Sequence, residues 1–258
     1  MDYSDVLLIS IGACAGGGLN ALAGGGTFLS FPALLAAGIN PVSANATNAV
    51  ALWPASLSAA WAMRRELRKL PWRAYLRPLL LSAAVGGLLG GLLLLLISDS
   101  AFFQLIPWLL LLATLLFSFS APIARLTRRW SQSDDKPPSL RLTGFLGQAA
   151  VSVYGGFFGA GMGIMMIASL AISGRTRVLE INAIKSLLSS VIYSVAALTF
   201  MLAGAVHWGA LLIMLPGTLL GGYVGGLLAR RLPDTWLRRL VVGVGWTLTL
   251  VYFYQVYA

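Results

Sequence analysis

The sequence predicts an all-α protein that crosses a membrane several times and is built from two inverted structural repeats. Three observations predict this class: an apolar composition, two long apolar runs broken by glycine, and an order of motifs that occurs twice. Of the 258 residues, 58% are hydrophobic and 10% are charged, and the mean hydropathy is +0.84. Soluble domains carry about 25% charged residues, so this composition indicates an integral membrane protein.

Each repeat is expected to begin with a glycine-broken hairpin, at 4–37 and at 140–172. Glycines at 24–26 and between 159 and 163 interrupt these runs, and glycine costs about 1 kcal/mol per position inside a helix. As one helix each run would be roughly 50 Å long, too long for a single crossing. Split at the glycines, each arm has roughly 15 residues, too few to cross alone. We therefore expect re-entrant hairpins with their tips at mid-membrane, and eight kinked transmembrane helices are the alternative.

Six further apolar runs each reach the length of about 20 residues that a bilayer requires. They lie at 43–63, 73–97, 101–123, 178–203, 208–230 and 235–256. With the broken runs they define a first repeat over 1–123 and a second repeat over 140–258. The polar segment 124–139 is predicted to be a cytoplasmic linker.

The basic residues predict the orientation in the membrane. Of the 18 Lys and Arg, all except Lys185 fall into four clusters at the ends of apolar runs, as is typical of cytoplasmic loops. If each broken run returns to the side it enters, all four clusters lie inside and both termini lie outside. The first hairpin then enters from outside and the second from inside. Inverted repeats of this kind support alternating access in secondary transporters.

Matching residues in the two halves support the repeat. Asn45 precedes Asn182 by 137 positions, a spacing that several alanines and glycines of the broken runs share. Two glycine pairs, 86–87 and 90–91, recur 135 positions later. Glycine pairs alone are common in membrane helices, whereas a shared order of broken run, Asn-Ala and paired glycines is specific.

The glycine breaks and the polar residues that follow them form the predicted substrate site. A short helix is expected to restart after each break, at 27–29 and at 164–166. The first amides of such helices lack intrahelical partners and carry the positive end of the helix dipole, so two tips that meet would bind an anion. The alternative is that these glycines only permit close helix packing. The candidate residues are Gly24, Gly25, Gly26, Thr27, Asn45 and Asn48 in the first half, and Gly161, Met162, Gly163, Asn182 and Lys185 in the second.

Lys185 is the strongest single candidate. It lies about two turns into a predicted span, where a lysine is costly and points to function. The substrate anion is its expected partner, and snorkelling of the side chain to the inner face is the alternative. Asn48 is the aligned residue of the first half. For Tyr154 and Tyr193 we expect core packing, with a place in the cavity as the alternative. Helix capping or interhelical bonding is the alternative to a substrate contact for four residues: Thr27, Asn45, Asn48 and Asn182.

The composition also excludes several classes. One cysteine and one histidine exclude a soft-ligand metal site, and no cofactor or catalytic group is expected, so the chain is not predicted to be an enzyme. The clustered charges indicate the lipid bilayer as partner and no nucleic acid. All eight Asp and Glu lie near segment ends, which favours an anionic substrate with little cation coupling. The sequence does not determine whether the chain forms a homo-oligomer.

The run Gly24-Gly25-Gly26-Thr27-Phe28-Leu29-Ser30-Phe31-Pro32, followed by Ser43-Ala44-Asn45-Ala46-Thr47-Asn48, resembles the first-half motif of TauE/SafE-type exporters. The stretch from 155 to 185 is similar to its second-half counterpart, with departures at Met162 and Lys185. The resemblance implies a bacterial inner-membrane carrier that exports sulfite or an organosulfonate such as sulfoacetate. An uptake carrier for another small anion, such as thiosulfate or a carboxylate, and a non-transport assembly subunit are the alternatives.

Overall fold

A computed structural model of the chain describes residues 2–23, 25–119, 142–172, 178–228 and 234–258. All regular secondary structure in these ranges is helical. A π-helical turn, Trp72–Leu76, leads directly into α5. The helices are α1 (Tyr3–Ala23), α2 (Thr27–Ala36), α3 (Pro41–Ala62), α4 (Arg64–Leu67), α5 (Arg77–Leu96), α6 (Asp99–Ser118), α7 (Leu142–Phe157), α8 (Met162–Ile172), α9 (Val178–Leu202), α10 (Trp208–Leu228) and α11 (Asp234–Tyr257).

Within the described ranges, five helices are long and apolar enough to cross a membrane, which confirms a multi-pass, all-α membrane protein. They are α5 with its π-helical turn, α6, α9, α10 and α11. The sixth expected span, 43–63, forms α3, which has 22 residues but carries a polar first half. The predicted linker 124–139 lies outside the described residues, as does Gly24.

Both glycine-broken runs fold back on themselves as antiparallel helical pairs. A Cβ added at Gly16 would lie 2.8 Å from the Cβ of Ser30, and one added at Gly12 would overlap the side chain of Ala33, so α2 retraces α1. In the second run, a Cβ at Gly155 would lie 2.5 Å from the sulfur of Met162. The two chain reversals fall at the predicted glycines.

The prediction that each arm has roughly 15 residues is confirmed for α7 and is wrong for α1, α2 and α8. α1 has 21 residues and α2 has 10, while α7 has 16 and α8 has 11. At about 1.5 Å per residue, α1 is roughly 31 Å long, which is close to the thickness of a hydrocarbon core. Gly16, Gly17 and Gly18 stay helical because they press against other helices, where a larger side chain would not fit.

The two reversals use glycine for different reasons. Gly159 and Gly161 have φ angles of +79° and +75°, which only glycine adopts without strain. Gly26 has a helical φ of −55°, and it is needed for space, because a Cβ there would lie 2.7 Å from the Cβ of Asn20. The helix after the first break begins at Thr27 as predicted, and α8 begins two residues before the predicted restart at 164.

The hairpin of each half packs on a helix of the other half. α1 lies along α10 and α7 lies along α5, with glycine backbones in direct contact at Gly18 and Gly225 and at Gly87 and Gly156. α3 contacts α9, and α6 contacts α11 in antiparallel fashion. The hydroxyl groups of Thr114 and Thr249 face each other at 3.4 Å across that second contact. These paired contacts enclose the two hairpin tips.

Candidate functional site

The two hairpin tips lie side by side against α6. A Cβ at Gly25 would lie 3.2 Å from the ring of Phe117, and a Cβ at Gly161 would lie 3.3 Å from the Cβ of Ala113. Ala113 and Phe117 are one helical turn apart, so the tips are neighbours along this helix. The sequence-based expectation that the reversals come together therefore agrees with the geometry.

Tyr193 of α9 links the tips. Its hydroxyl interacts with the side chain of Thr27 in the first tip. The same hydroxyl lies 3.1 Å from the position that a Cβ of Gly159 would take in the second tip. Tyr193 is 8% exposed, and its ring packs with the apolar side chains around the second tip. Core packing was the favoured expectation for Tyr193 and a place in the cavity was the alternative; Tyr193 lines the cavity, and its contact with both tips was not foreseen.

The first tip is closed and bonded to itself. The Ser30 hydroxyl donates to the side-chain oxygen of Asn48, and the Asn48 amide lies 3.4 Å from the Thr27 hydroxyl. The amides of Phe28 and Leu29 donate to the carbonyls of Gly25 and Gly26. Thr27, Ser30 and Asn48 are each at most 3% exposed. We name these three residues the Asn48 cluster.

Asn45 couples the halves instead of facing a cavity. Its side-chain amide donates to the carbonyl of Phe157 at 2.8 Å, at the end of α7. That carbonyl belongs to the last turn of a helix, where no intrahelical partner is available. Asn45 therefore caps the long arm of the second hairpin.

A cavity of about 610 Å³ lies beside the second tip, between α1, α3, α8, α9 and α10. Of the predicted site residues, Met162, Gly163 and Lys185 line it. Polar side chains from four helices also line it: Asn20, Ser56, Ser58, Ser186, Ser189, Tyr193, Thr218 and Tyr223. Ala59 and Ala62, at the end of α3 that leads to the arginines of α4, line the cavity as well. The cavity is thus built at the end of the molecule that carries the first basic cluster.

Lys185 is the cationic residue of this cavity. Among the described residues it forms no hydrogen bond and no ion pair. Its stem lies 3.6 Å from the position that a Cβ of Gly163 would take. The neighbouring amides of Met162 and Ile164 donate to the carbonyls of Gly159 and Gly161, and the Gly163 amide donates to no described acceptor. The stem of Lys185 therefore passes the first turn of α8, so a small anion in the cavity would find a cation without a partner among the described residues and a backbone donor close to it.

A cluster of aromatic rings lies on the other side of the second tip. Phe158 packs edge to face on Phe31 at 5.6 Å between ring centroids, and Phe102 packs in the same way on Phe157 at 5.6 Å. Phe31, Phe102 and Phe158 are at most 4% exposed. Among the described residues, these rings form a buried apolar layer on this side of the tip.

The predicted site residues therefore fall into two groups. Met162, Gly163 and Lys185 meet in the open cavity, whereas Gly25, Gly26, Thr27, Asn48 and Gly161 are buried behind it. Asn182 is half-buried on α9 outside the cavity lining. Ser186 is the residue after Lys185 and Ser189 lies one helical turn further on; both line the cavity, and neither was among the predicted site residues. The described residues hold no group of three or more His, Cys, Asp or Glu that fits a metal ion.

The helical spans and the cavity define a polytopic membrane transporter. The chain matches the family described as sulfite exporter TauE/SafE over residues 8–252, and it belongs to that family.

Similar curated proteins are named as transporters. A probable membrane transporter protein of Haemophilus influenzae is 28% identical over 243 residues, covering 92% of this chain and 90% of that protein. The probable membrane transporter protein YfcA of Escherichia coli K12 is 27% identical over 231 residues, with 89% and 82% covered. The probable membrane transporter protein ORF9 of a Sinorhizobium species is 27% identical over 221 residues, with 83% and 79% covered. No solved structure is significantly similar to the chain.

Proposed function

We propose that this protein is a secondary transporter that exports a small sulfur oxyanion, sulfite or an organosulfonate such as sulfoacetate, by alternating access. The observation that carries the proposal is Lys185, which lines a cavity beside the glycine tip of α8 and has no bonding partner in the part of the chain that the structure describes. A charged group inside a membrane segment is costly unless a partner compensates it. An oxyanion supplies that partner, because its oxygens accept charge-assisted hydrogen bonds from an ammonium group and from nearby hydroxyls.

The proposed mechanism rests on two inverted repeats, 1–123 and 140–258. Its support is the reciprocal packing of α1 on α10 and α7 on α5, together with the antiparallel contact of α6 and α11. In such carriers one repeat moves against the other around a fixed site. The cavity lies at the arginine-bearing end of α3 and the aromatic cluster closes the other side, so the arrangement corresponds to an inward-open state.

The proposed location is the bacterial inner membrane, with the basic clusters in the cytoplasm and both termini in the periplasm. The lipid bilayer and the small anion are the partners, and no cofactor takes part. The physical support is the positive-inside distribution of Lys and Arg.

Flux measurements in proteoliposomes test the function. Vesicles that contain the purified protein are loaded with labelled sulfite, sulfate, thiosulfate, sulfoacetate or a small carboxylate, and release is followed. We expect release of sulfite or sulfoacetate above that of protein-free vesicles. Lys185→Ala is expected to reduce the flux at least tenfold, because losing a charge-assisted hydrogen bond costs about 1.5–3 kcal/mol.

Lys69→Ala is the matched control. Lys69 is an exposed residue two positions after α4, and it pairs with Glu66 at 2.8 Å. Its replacement therefore removes one positive charge without touching the cavity. Flux at the wild-type level in Lys185→Ala would contradict the role of Lys185. Absence of flux for every anion in the wild type would contradict the transport of these substrates.

A further inference from the structure

We infer that the Asn48 cluster is the outward-state counterpart of the Lys185 site, and that the carrier binds its anion more tightly from the cytoplasm than from outside. This inference rests on the transport function proposed above. It concerns the buried residues of the first tip, Thr27, Ser30 and Asn48, which have no role in the inward-open cavity.

The two groups occupy matching places in the two halves. Asn48 and Lys185 are 137 positions apart, as are Gly26 and Gly163 at the tips. Each side chain lies one to two turns from the start of the helix that follows its hairpin, and each faces the first turn of the short hairpin helix. If the two halves are inverted repeats, the Lys185 site opens to one side of the membrane and the Asn48 cluster opens to the other.

The two groups are in opposite conditions in this structure. The Lys185 side chain lines a cavity of about 610 Å³ and has no bonding partner among the described residues. The Asn48 amide and carbonyl groups are occupied by Thr27 and Ser30, and all three residues are at most 3% exposed. One half is open and ready for an anion, and the other half is collapsed onto its own hydrogen bonds. Under the alternating access proposed above, the two half-sites, which adjoin at the hairpin tips, exchange these conditions between the inward-open and the outward-open state.

In the outward-open state of the proposed carrier, the Lys185 site is closed and the Asn48 cluster is open. When the second hairpin closes on α9, the first hairpin separates from α3, and the Thr27, Ser30 and Asn48 side chains lose their mutual bonds. They then present hydroxyl and amide donors to an anion from the outer side. The bond between the Asn48 amide and Thr27 is already long, at 3.4 Å, so the hydrogen bond from Ser30 to Asn48 is the main interaction that must break when the cluster opens.

The charges of the two half-sites determine at which face of the membrane the anion binds more tightly. Lys185 offers a full positive charge, whereas the Asn48 cluster offers only neutral donors. A charge-assisted hydrogen bond is about twice as strong as a neutral one, so the anion should bind roughly tenfold more tightly at the cytoplasmic face. Without a membrane potential a passive carrier must have equal Vmax/KM for the two directions. A lower KM at the cytoplasmic face is therefore accompanied by a lower maximal rate of outward transport.

Right-side-out and inverted membrane vesicles, with and without the expressed protein, separate the two faces. Entry of labelled sulfite is measured against sulfite concentration, at zero membrane potential, for the wild type, Lys185→Asn and Lys185→Arg. In the wild type we expect a KM roughly tenfold lower in inverted vesicles, whose accessible face is cytoplasmic. Lys185→Asn makes the half-sites alike in charge, so the two KM values should converge, and Lys185→Arg should keep most of the difference.

Ser30→Ala tests the other half-site without a change of charge. It is expected to raise KM in right-side-out vesicles and to leave KM in inverted vesicles near the wild-type value, because Ser30 does not line the open cavity. Equal KM values for the two faces of the wild type, or equal shifts of both in Lys185→Asn, would overturn the inference while leaving the transport function intact. Absence of protein-dependent entry in either vesicle type would instead refute sulfite transport itself.

Discussion

Single glycines in the helix contacts determine whether the halves can approach each other. A Cβ at Gly90 of α5 would lie 2.7 Å from the backbone nitrogen of Phe157 and 2.9 Å from the carbonyl carbon of Gly156. These neighbours are backbone atoms of α7, which cannot turn aside as a flexible side chain does. Gly243 of α11 has no neighbour within 4 Å of the corresponding position.

We predict opposite effects of alanine at these two glycines. Gly90→Ala should lower the free energy of unfolding by about 1–3 kcal/mol, because an extra methyl group forces α5 and α7 apart. Gly243→Ala should be neutral or raise it by up to about 1 kcal/mol, because alanine favours the helix. Thermal unfolding in detergent, followed by circular dichroism, measures both. A Gly90→Ala protein as stable as Gly243→Ala would contradict the close contact.

Individual residues also show how much of the candidate site could be predicted from the sequence. Lys185 could be selected because a lone lysine inside an apolar span requires a partner, and the structure places it in the cavity. For Asn45, interhelical bonding was the alternative to a substrate contact, but its partner could not be identified, because the bond to the Phe157 carbonyl joins residues 112 positions apart. Tyr193 has the same difficulty, since an aromatic residue in an apolar helix carries no sign of the two tips that it touches.

At the scale of the elements, the hairpins could be predicted and their lengths could not. The glycines at 24–26 and at 159–163 mark the reversals. Glycine is unfavourable inside a helix, so a helix within a long apolar run is expected to end there. The unequal arms arise because Gly16, Gly17 and Gly18 stay in α1, where their lack of a side chain lets α2 and α10 come close. Glycine thus breaks a helix at one point and extends it through a crowded contact a few residues earlier.

Tyr193→Phe tests the link between the two hairpins. Without the hydroxyl, the polar contact with Thr27 is lost, and we expect the free energy of unfolding to decrease by at most about 1 kcal/mol, the usual value of a neutral hydrogen bond. We also expect lower anion flux, because the tips are held together less firmly. Tyr223→Phe is the control, since Tyr223 lines the same cavity but is 71% exposed. Equal stability and flux in the two variants would contradict the linking role.

At the scale of the whole molecule, the paired order of motifs predicted which elements correspond, and the structure adds how they pack. The reciprocal contacts of α1 with α10 and of α7 with α5 join residues about 200 and 65 positions apart, so no local pattern reveals them. The difference between the open Lys185 site and the closed Asn48 cluster was also beyond the sequence. Under the alternating access that we propose, the conformational state determines which half is collapsed, and the sequence alone does not select one state.

The ends of the helices define a testable orientation for the whole chain. The Tyr257 hydroxyl donates to the Gln104 carbonyl at 3.0 Å, and the Val42 amide donates to the Asp99 carboxylate at 2.9 Å. The end of α11 therefore lies beside the start of α6, which in turn lies beside the start of α3. The arginines of α4 follow the other end of α3. Because basic loops stay in the cytoplasm, the C-terminus should lie in the periplasm.

An alkaline phosphatase fused after Ala258 should therefore be active, and a green fluorescent protein fused at the same position should be dark, because these reporters work on opposite sides of the inner membrane. Fusions placed within the predicted linker 124–139 are the control, with the reverse result expected. Under the eight-span alternative, each broken run crosses once. The first two basic clusters and the last two would then lie on opposite sides. A cytoplasmic signal after Ala258 would mean that at least one hairpin crosses the membrane, and the inverted arrangement would fail with it.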